Sequence, residues 1–156
     1  MSTTSLVSNL FRRRCAAAAA GLLLGAAPAA AGDWLGFRGN DGSGVVAEAT
    51  IRHSWSEDEG IAWKVDLPGR SVASPIVVGD LVVATASSGP QQDQLHLVAV
   101  DRETGEVRWE RVFQATGRTL CHPTSAVAAC TPASDGKRIV ALYSSCDLFC
   151  VDLEGR

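Results

Sequence analysis

The sequence predicts an all-β fold made of repeated four-stranded antiparallel sheets, and three observations carry that prediction. Short β-branched runs recur with Gly-, Asp- and Ser-rich turns between them. Past residue 31, no stretch shows helical periodicity. Two stretches also read as one pattern written twice. The first is Ser74-Pro75-Ile76-Val77-Val78-Gly79-Asp80, then Leu97-Val98-Ala99-Val100-Asp101-Arg102-Glu103-Thr104-Gly105, ending at Trp109. The second is Thr131-Pro132-Ala133-Ser134-Asp135-Gly136, then Leu148-Phe149-Cys150-Val151-Asp152-Leu153-Glu154-Gly155. Self-similarity at a period of tens of residues marks units that cannot hide their apolar faces alone, which selects a propeller over a sandwich.

The N-terminus stands apart from that pattern. Arg12, Arg13 and Arg14 precede an uncharged Ala/Leu/Gly run from Cys15 to Ala27, and Ala29-Ala30-Ala31 offers a small-x-small cleavage site before Gly32. That order predicts a signal peptide over residues 1–31 and a periplasmic or secreted product. The run falls short of the ~20 apolar residues that span a bilayer, so cleavage is favoured over a retained anchor. Cys15 precedes the apolar run and does not fit a lipid-attachment site. Formal net charge is −3 for the whole chain, and loss of the three arginines makes it more negative. A surface of that sign without a basic cluster argues against nucleic-acid binding and gives no attraction to anionic lipid.

Residues 32–60, rich in Gly, Asp and Ser with scattered aromatics, read as an irregular lead-in, and residues 61–156 as the repeat domain. Ile61 to Val65 alternates apolar and polar side chains as a strand does, and Pro68-Gly69 ends it. Ile76 to Val78 is the next strand, and Gly79-Asp80 a tight hairpin into Leu81 to Thr85. Ser87 to Asp93 reads as a polar loop. Strands at Leu95 to Val100 and Val107 to Val112, joined by the turn Arg102 to Gly105, complete a four-stranded unit. The cycle restarts with Ala129 to Ala133, Arg138 to Tyr143 and Leu148 to Asp152. In the first turn Gly105 supplies positive φ, while Asp101 and Thr104 can bond backbone groups. Trp109 falls on the outer strand, where its ring can pack between sheets, and Trp63 occupies an equivalent place.

Four cysteines lie beyond the leader: Cys121, Cys130, Cys146 and Cys150. In an exported protein they permit two disulfides in three connectivities, of which the local pairs Cys121–Cys130 and Cys146–Cys150 are favoured. Spacing cannot supply Cβ geometry, so buried thiols at Cys146 and Cys150 weigh equally. Cys150 aligns with Ala99 and suits a small buried position.

Other candidates read as bland. Asp41-Gly42-Ser43 with Glu48 covers part of a calcium loop, but Phe37 and Gly39 occupy its early ligand positions. Cys121-His122 lacks the partner cysteine of haem attachment, and the cysteine spacings suit zinc poorly. His53, His96 and His122 show no paired acid or nucleophile, and His96 reads as an exposed or inter-sheet residue. Ser43 lacks a nucleophile-elbow context. Glu57-Asp58-Glu59 reads as a solvated turn. Trp34, Phe37 and Trp55 are expected to pack the lead-in against the sheets. No catalytic residue and no metal ligand is assigned.

Ala99-Val100-Asp101-Arg102-Glu103-Thr104-Gly105-Glu106-Val107-Arg108-Trp109 resembles the A-x-D-x-x-T-G-x-x-x-W repeat of pyrroloquinoline-quinone-like (PQQ-like) β-propellers. Asp33 to Gly44 resembles the W-x-x-F-R-G-x-x-G-x-G opening of exported bacterial members. The resemblance covers residues 33–156, with Ala99, Asp101, Thr104, Gly105, Trp109 and Trp63 as the repeat positions; the second repeat is degraded at Cys150 and in its shorter turn. It implies a ring of ~4–8 four-stranded blades, with the strand around Trp63 completing the last. The chain then supplies about one and a half blades plus a closing strand, and is expected to be an N-terminal fragment.

The resemblance also implies two functions. One is a non-catalytic exported module that binds or scaffolds an unidentified protein or small molecule, as similar repeats do in the outer-membrane assembly lipoprotein. The other is a periplasmic quinoprotein dehydrogenase oxidising alcohols or sugars, with PQQ stacked at the propeller axis beside calcium. The adjacent cysteines and acidic cluster that many such enzymes carry are missing from this chain, so no cofactor is evident.

Overall fold

The computed structural model describes residues 32–46 and 52–156, so the leader with Cys15, and Glu48 of the calcium-loop reading, lie outside the described residues. All regular structure among them is β. Strands β1 (Ile76–Val78), β2 (Leu81–Ser88), β3 (Gln94–Asp101) and β4 (Val107–Gln114) form one antiparallel sheet in chain order. Strands β5 (Ala133–Ser134), β6 (Arg138–Leu142) and β7 (Leu148–Asp152) form a second. These are one complete propeller blade and three strands of the next, in an open arrangement.

Register decides which side chains meet. Ile76, Val83, Ala99 and Trp109 lie in one row across the first sheet, and Leu97 and Leu95 extend the same face. That face closes on Ile139, Ala141 and Val151 of the second sheet and on Tyr143 just past β6, with Val127 and Ala128 of the connector in the same cluster. Phe113 stacks on Phe149 with ring centroids 3.8 Å apart. Tyr143 is fully buried and donates its hydroxyl to the His96 carbonyl at 2.7 Å, which ties the two sheets together. Burial pushes its phenol well above the ordinary range.

Several local expectations are corrected. Residues 61–65 form no ladder. Trp63, Val65 and Leu67 instead join Val82, Ala84, Val98 and Val100 in lining an apolar cleft of about 190 Å³ on the opposite face of the first sheet. Alternation alone cannot make a strand, because a strand needs a neighbour's N–H and C=O groups. The β2 strand runs on through Ser87 and Ser88, expected as loop, because Leu95 and Gln94 pair with them. The strand expected from Ala129 shrinks to Ala133–Ser134: Pro132 has no N–H to give.

The lead-in is irregular but anchored. Trp34 pairs with Val77 through hydrogen bonds of 2.8 and 2.9 Å, and the Leu35 carbonyl accepts from Ser134 N at 2.8 Å. Two adjacent residues therefore bridge the first strands of both sheets. Asn40 holds this crossing by accepting from Leu35 N at 2.8 Å and donating to the Asp33 carbonyl at 3.0 Å. Trp34 packs as expected, whereas Phe37 and Trp55 are each 68% exposed and do not.

Thr85 is 1% exposed on the inter-sheet face, and among the described residues its hydroxyl is a buried side-chain oxygen without a partner. Thr85→Val removes that unsatisfied group at nearly constant shape. We expect a gain of about 1 kcal/mol, read from the urea midpoint at unchanged slope.

Candidate functional site

The repeat residues meet as one structural device, used twice. Asp101 ends β3 and accepts through Oδ1 from Glu103 N at 2.9 Å and Thr104 N at 2.8 Å, closing the turn. Gly105 follows at φ 74°, its N–H bonded to the Asp101 carbonyl at 2.9 Å. The Trp63 ring lies on that glycine: a Cβ there would sit 2.6 Å from Trp63 Cδ2. Trp63 Nε1 donates to the Arg102 carbonyl at 2.9 Å.

One blade later the geometry repeats. Gly155, at φ 77°, would place a Cβ 2.8 Å from Trp109 Cδ2, and Trp109 Nε1 donates to the Leu153 carbonyl at 2.8 Å. Asp152 accepts from Glu154 N and Arg156 N as Asp101 does in its turn. The shortened second turn therefore keeps the docking surface. Arg111 adds a clamp, with Nε 2.5 Å from the Gly155 carbonyl and its guanidinium 5.7 Å from the Trp109 ring centroid. Ala99 is fully buried in the same row, paired with Trp109 across the strands.

At the opposite end of the sheets, a polar network joins the β2–β3 loop to the connector. Gln92, at φ 54°, accepts through Oε1 from Ser87 Oγ at 3.0 Å and Val127 N at 3.1 Å. Its Nε2 points at the Cys121 sulfur, 3.5 Å away. Asp147 is buried and accepts from Ser145 Oγ at 2.7 Å, Thr116 N at 3.1 Å and the Thr116 hydroxyl. The Ser145 and Thr116 hydrogen bonds hold its carboxyl below the usual range. Above this network opens a groove of about 540 Å³, lined among others by Gln91, Gln92, Arg118, Leu120 and Cys121. Nothing in the sequence marked Gln92 or Asp147, since both act through loop contacts that carry no period.

His96, read from the sequence as an exposed or inter-sheet residue, is buried. Its Nδ1 lies 2.7 Å from Glu110 Oε1 and its Nε2 2.7 Å from Ser88 Oγ. All three sit on the face of the first sheet turned away from the second. The sequence reading found no acid partner because Glu110 comes from the next strand, by diagonal register. Both ring nitrogens are thereby satisfied, as burial of a polar ring requires. His122 bonds only its neighbour Thr124, and His53 lies exposed in the lead-in.

The four cysteines are unbridged: Cys121 and Cys130 are half-buried, Cys146 and Cys150 exposed. Cys150 shares its repeat position with Ala99 but not its burial. Ala99 faces the second sheet, whereas Cys150 faces outward with Leu142 and Leu148, where no described residue covers it. In the stretch weighed against a calcium loop, Asp41 caps its own turn, accepting from Ser43 N at 2.9 Å. Among the described residues no three of His, Cys, Asp or Glu converge as a metal site.

A family model described as outer membrane protein assembly factor BamB matches residues 14–156. No curated protein matches the chain.

Two predictions follow from the docking geometry and its electrostatics. Gly105→Ala drives a methyl into the indole and strains the turn. It should cost more than ~1 kcal/mol and red-shift tryptophan emission, whereas Gly136→Ala, at φ 85° but with open space, should show the strain alone. The Arg108 guanidinium, 2.5 Å from Asp101 Oδ2, and the turn N–H groups hold the Asp101 carboxyl far below its ordinary value. A depressed carboxyl contributes stability that is present above its unfolded pKa of ~4 and lost as pH falls towards the folded value. Asp101→Asn should therefore be less stable at neutral pH and show a flatter acid limb when urea midpoints are compared from neutral pH downwards.

Proposed function

The chain belongs to the PQQ-like repeat family of outer membrane protein assembly factor BamB, and from that premise we propose that it is an exported, non-catalytic binding or scaffolding module. The observation that carries this reading is the family match itself, which runs over residues 14–156 of the chain. The family's printed description names an assembly role, which we extend to this chain as protein–protein contact in the bacterial envelope.

The site geometry supports the same reading. The strongest polar and aromatic groups are committed to the fold itself: Trp63 and Trp109 to turns farther along the chain, Asp101 to its own turn and Arg108, Asp147 to hydroxyl and backbone donors, Tyr143 to a carbonyl of the other sheet. Rigid sheets with polar loops at their ends suit recognition, because surface loops on a fixed scaffold can vary without loss of fold.

The leader-like segment supports export, and no helix among the described residues is long and apolar enough to cross a membrane. Expression in a bacterial host should yield a periplasmic product whose N-terminal sequence begins at Gly32. Incubation with PQQ and calcium should leave no quinone absorbance after desalting and no dye reduction with alcohols or sugars. An amine-reactive crosslinker, which reaches the exposed Lys64 and Lys137, should form an adduct identified by mass spectrometry as an envelope protein. Retained quinone with dye reduction would overturn the non-catalytic reading.

A further inference from the structure

We infer that the groove beside Arg118 is a recognition site for an extended acidic segment of a partner protein, with a carboxylate on Arg118 and an adjacent aliphatic side chain on Leu120. This deepens, and rests on, the binding-module reading. Among the described residues Arg118 is the only charged one lining the groove, and its guanidinium makes no hydrogen bond or ion pair with any of them. Most other arginines are committed: Arg70 to the Pro123 carbonyl, Arg108 to Asp101, Arg111 to the Gly155 carbonyl and Arg156 to Asp152, while Arg138, whose guanidinium also makes no hydrogen bond or ion pair among the described residues, has the Asp135 carboxylate as its electrostatic neighbour. A larger opening of about 900 Å³ between the turns contains Arg108 and Arg111, so its cations are already spent on the fold. The Arg118 fork has no such task, and a planar guanidinium matches a carboxylate in two parallel hydrogen bonds.

Leu120, two residues on, is 74% exposed. An exposed aliphatic side chain next to an unpaired guanidinium presents the two contacts that an alternating acidic and aliphatic strand would meet. The floor beneath them is fixed. Gln92 is held in a left-handed conformation by three side-chain contacts, and Gly117 lies directly against the Ser145 carbonyl, where a Cβ has no space. A non-glycine residue kept at positive φ persists only where its surroundings over-determine it, and a pre-ordered floor lowers the entropic cost of binding. The chain as a whole carries net charge −3, so acidic peptides are not drawn to it indiscriminately.

The test is fluorescence anisotropy of the full chain with a short labelled peptide alternating leucine and aspartate, beside leucine–lysine and serine–aspartate peptides. The leucine–aspartate peptide should bind best. Arg118→Glu should weaken it by about tenfold and Leu120→Ala by a smaller factor. Lys137→Glu, the same charge change in a turn at the other end of the sheets, should leave binding unaltered. Equal binding by the Arg118→Glu and parent proteins would overturn the groove while leaving the binding-module reading intact. Failure of the peptide to bind at all would overturn it too, and the crosslinking experiment judges the broader reading separately. Competition by free acetate as effective as the unlabelled peptide would reduce the groove to a simple anion site and overturn the peptide assignment.

Discussion

A tryptophan ring cannot be hidden within a four-stranded sheet, so Trp109 of the first sheet and Trp63 of the segment before it each carry an indole to a turn farther along the chain, and that turn must receive it without a side chain in the way. Gly105 and Gly155 are those receivers. Each turn meets two demands at one residue: positive φ to reverse the chain, and no Cβ where the ring lands. Only glycine meets both cheaply. The Nε1 bonds to Arg102 and Leu153 carbonyls, from partners 39 and 44 residues away, then fix the ring's orientation. Removal of such a ring costs on the order of 3–5 kcal/mol in buried contexts, a large share of the stability of a small domain.

The rest of the architecture is arranged around that contact. Asp101 and Asp152 shape the receiving turns, and Arg111 closes over the docked Trp109. At the far end, where no indole reaches, Gln92 and Asp147 knit loop to connector with side-chain hydrogen bonds instead. The lead-in supplies a third tie by pairing Trp34 with Val77 and Leu35 with Ser134. One blade boundary is thus held at both ends and along its inner strands by chemically different means.

How much of this was legible in the sequence follows from what each feature depends on. The sheets were, because strand alternation and Asp-x-x-Thr-Gly punctuation are local. The pairing of Trp109 with a turn near the C-terminus was legible only through the repeat. The extent of β5 was not, since Pro132 and the neighbouring sheet jointly decide it. The failure at residues 61–65 has the same root: alternation reports a two-faced segment, and only a hydrogen-bonding neighbour turns it into a strand. Cys150 misled for a related reason, because burial belongs to the face opposite and not to the residue. The His96–Glu110 contact depends on diagonal register between strands, which no linear spacing displays.

That dependence on register also separates structural from functional polar groups in this protein. Asp101, His96, Asp147 and Tyr143 are each buried and each satisfied by partners fixed by the fold. A buried polar group must be satisfied whatever the protein does, so such groups say little about ligands. An exposed cation gives more information when it lines a groove whose other described residues carry no charge to pair with it. Arg118 has this property, and it stands on the connector between blades, where the chain is free of both the ladder and the docked indoles. In a fold that uses its aromatic rings and carboxylates to bind itself together, recognition falls to the loops that the binding leaves over.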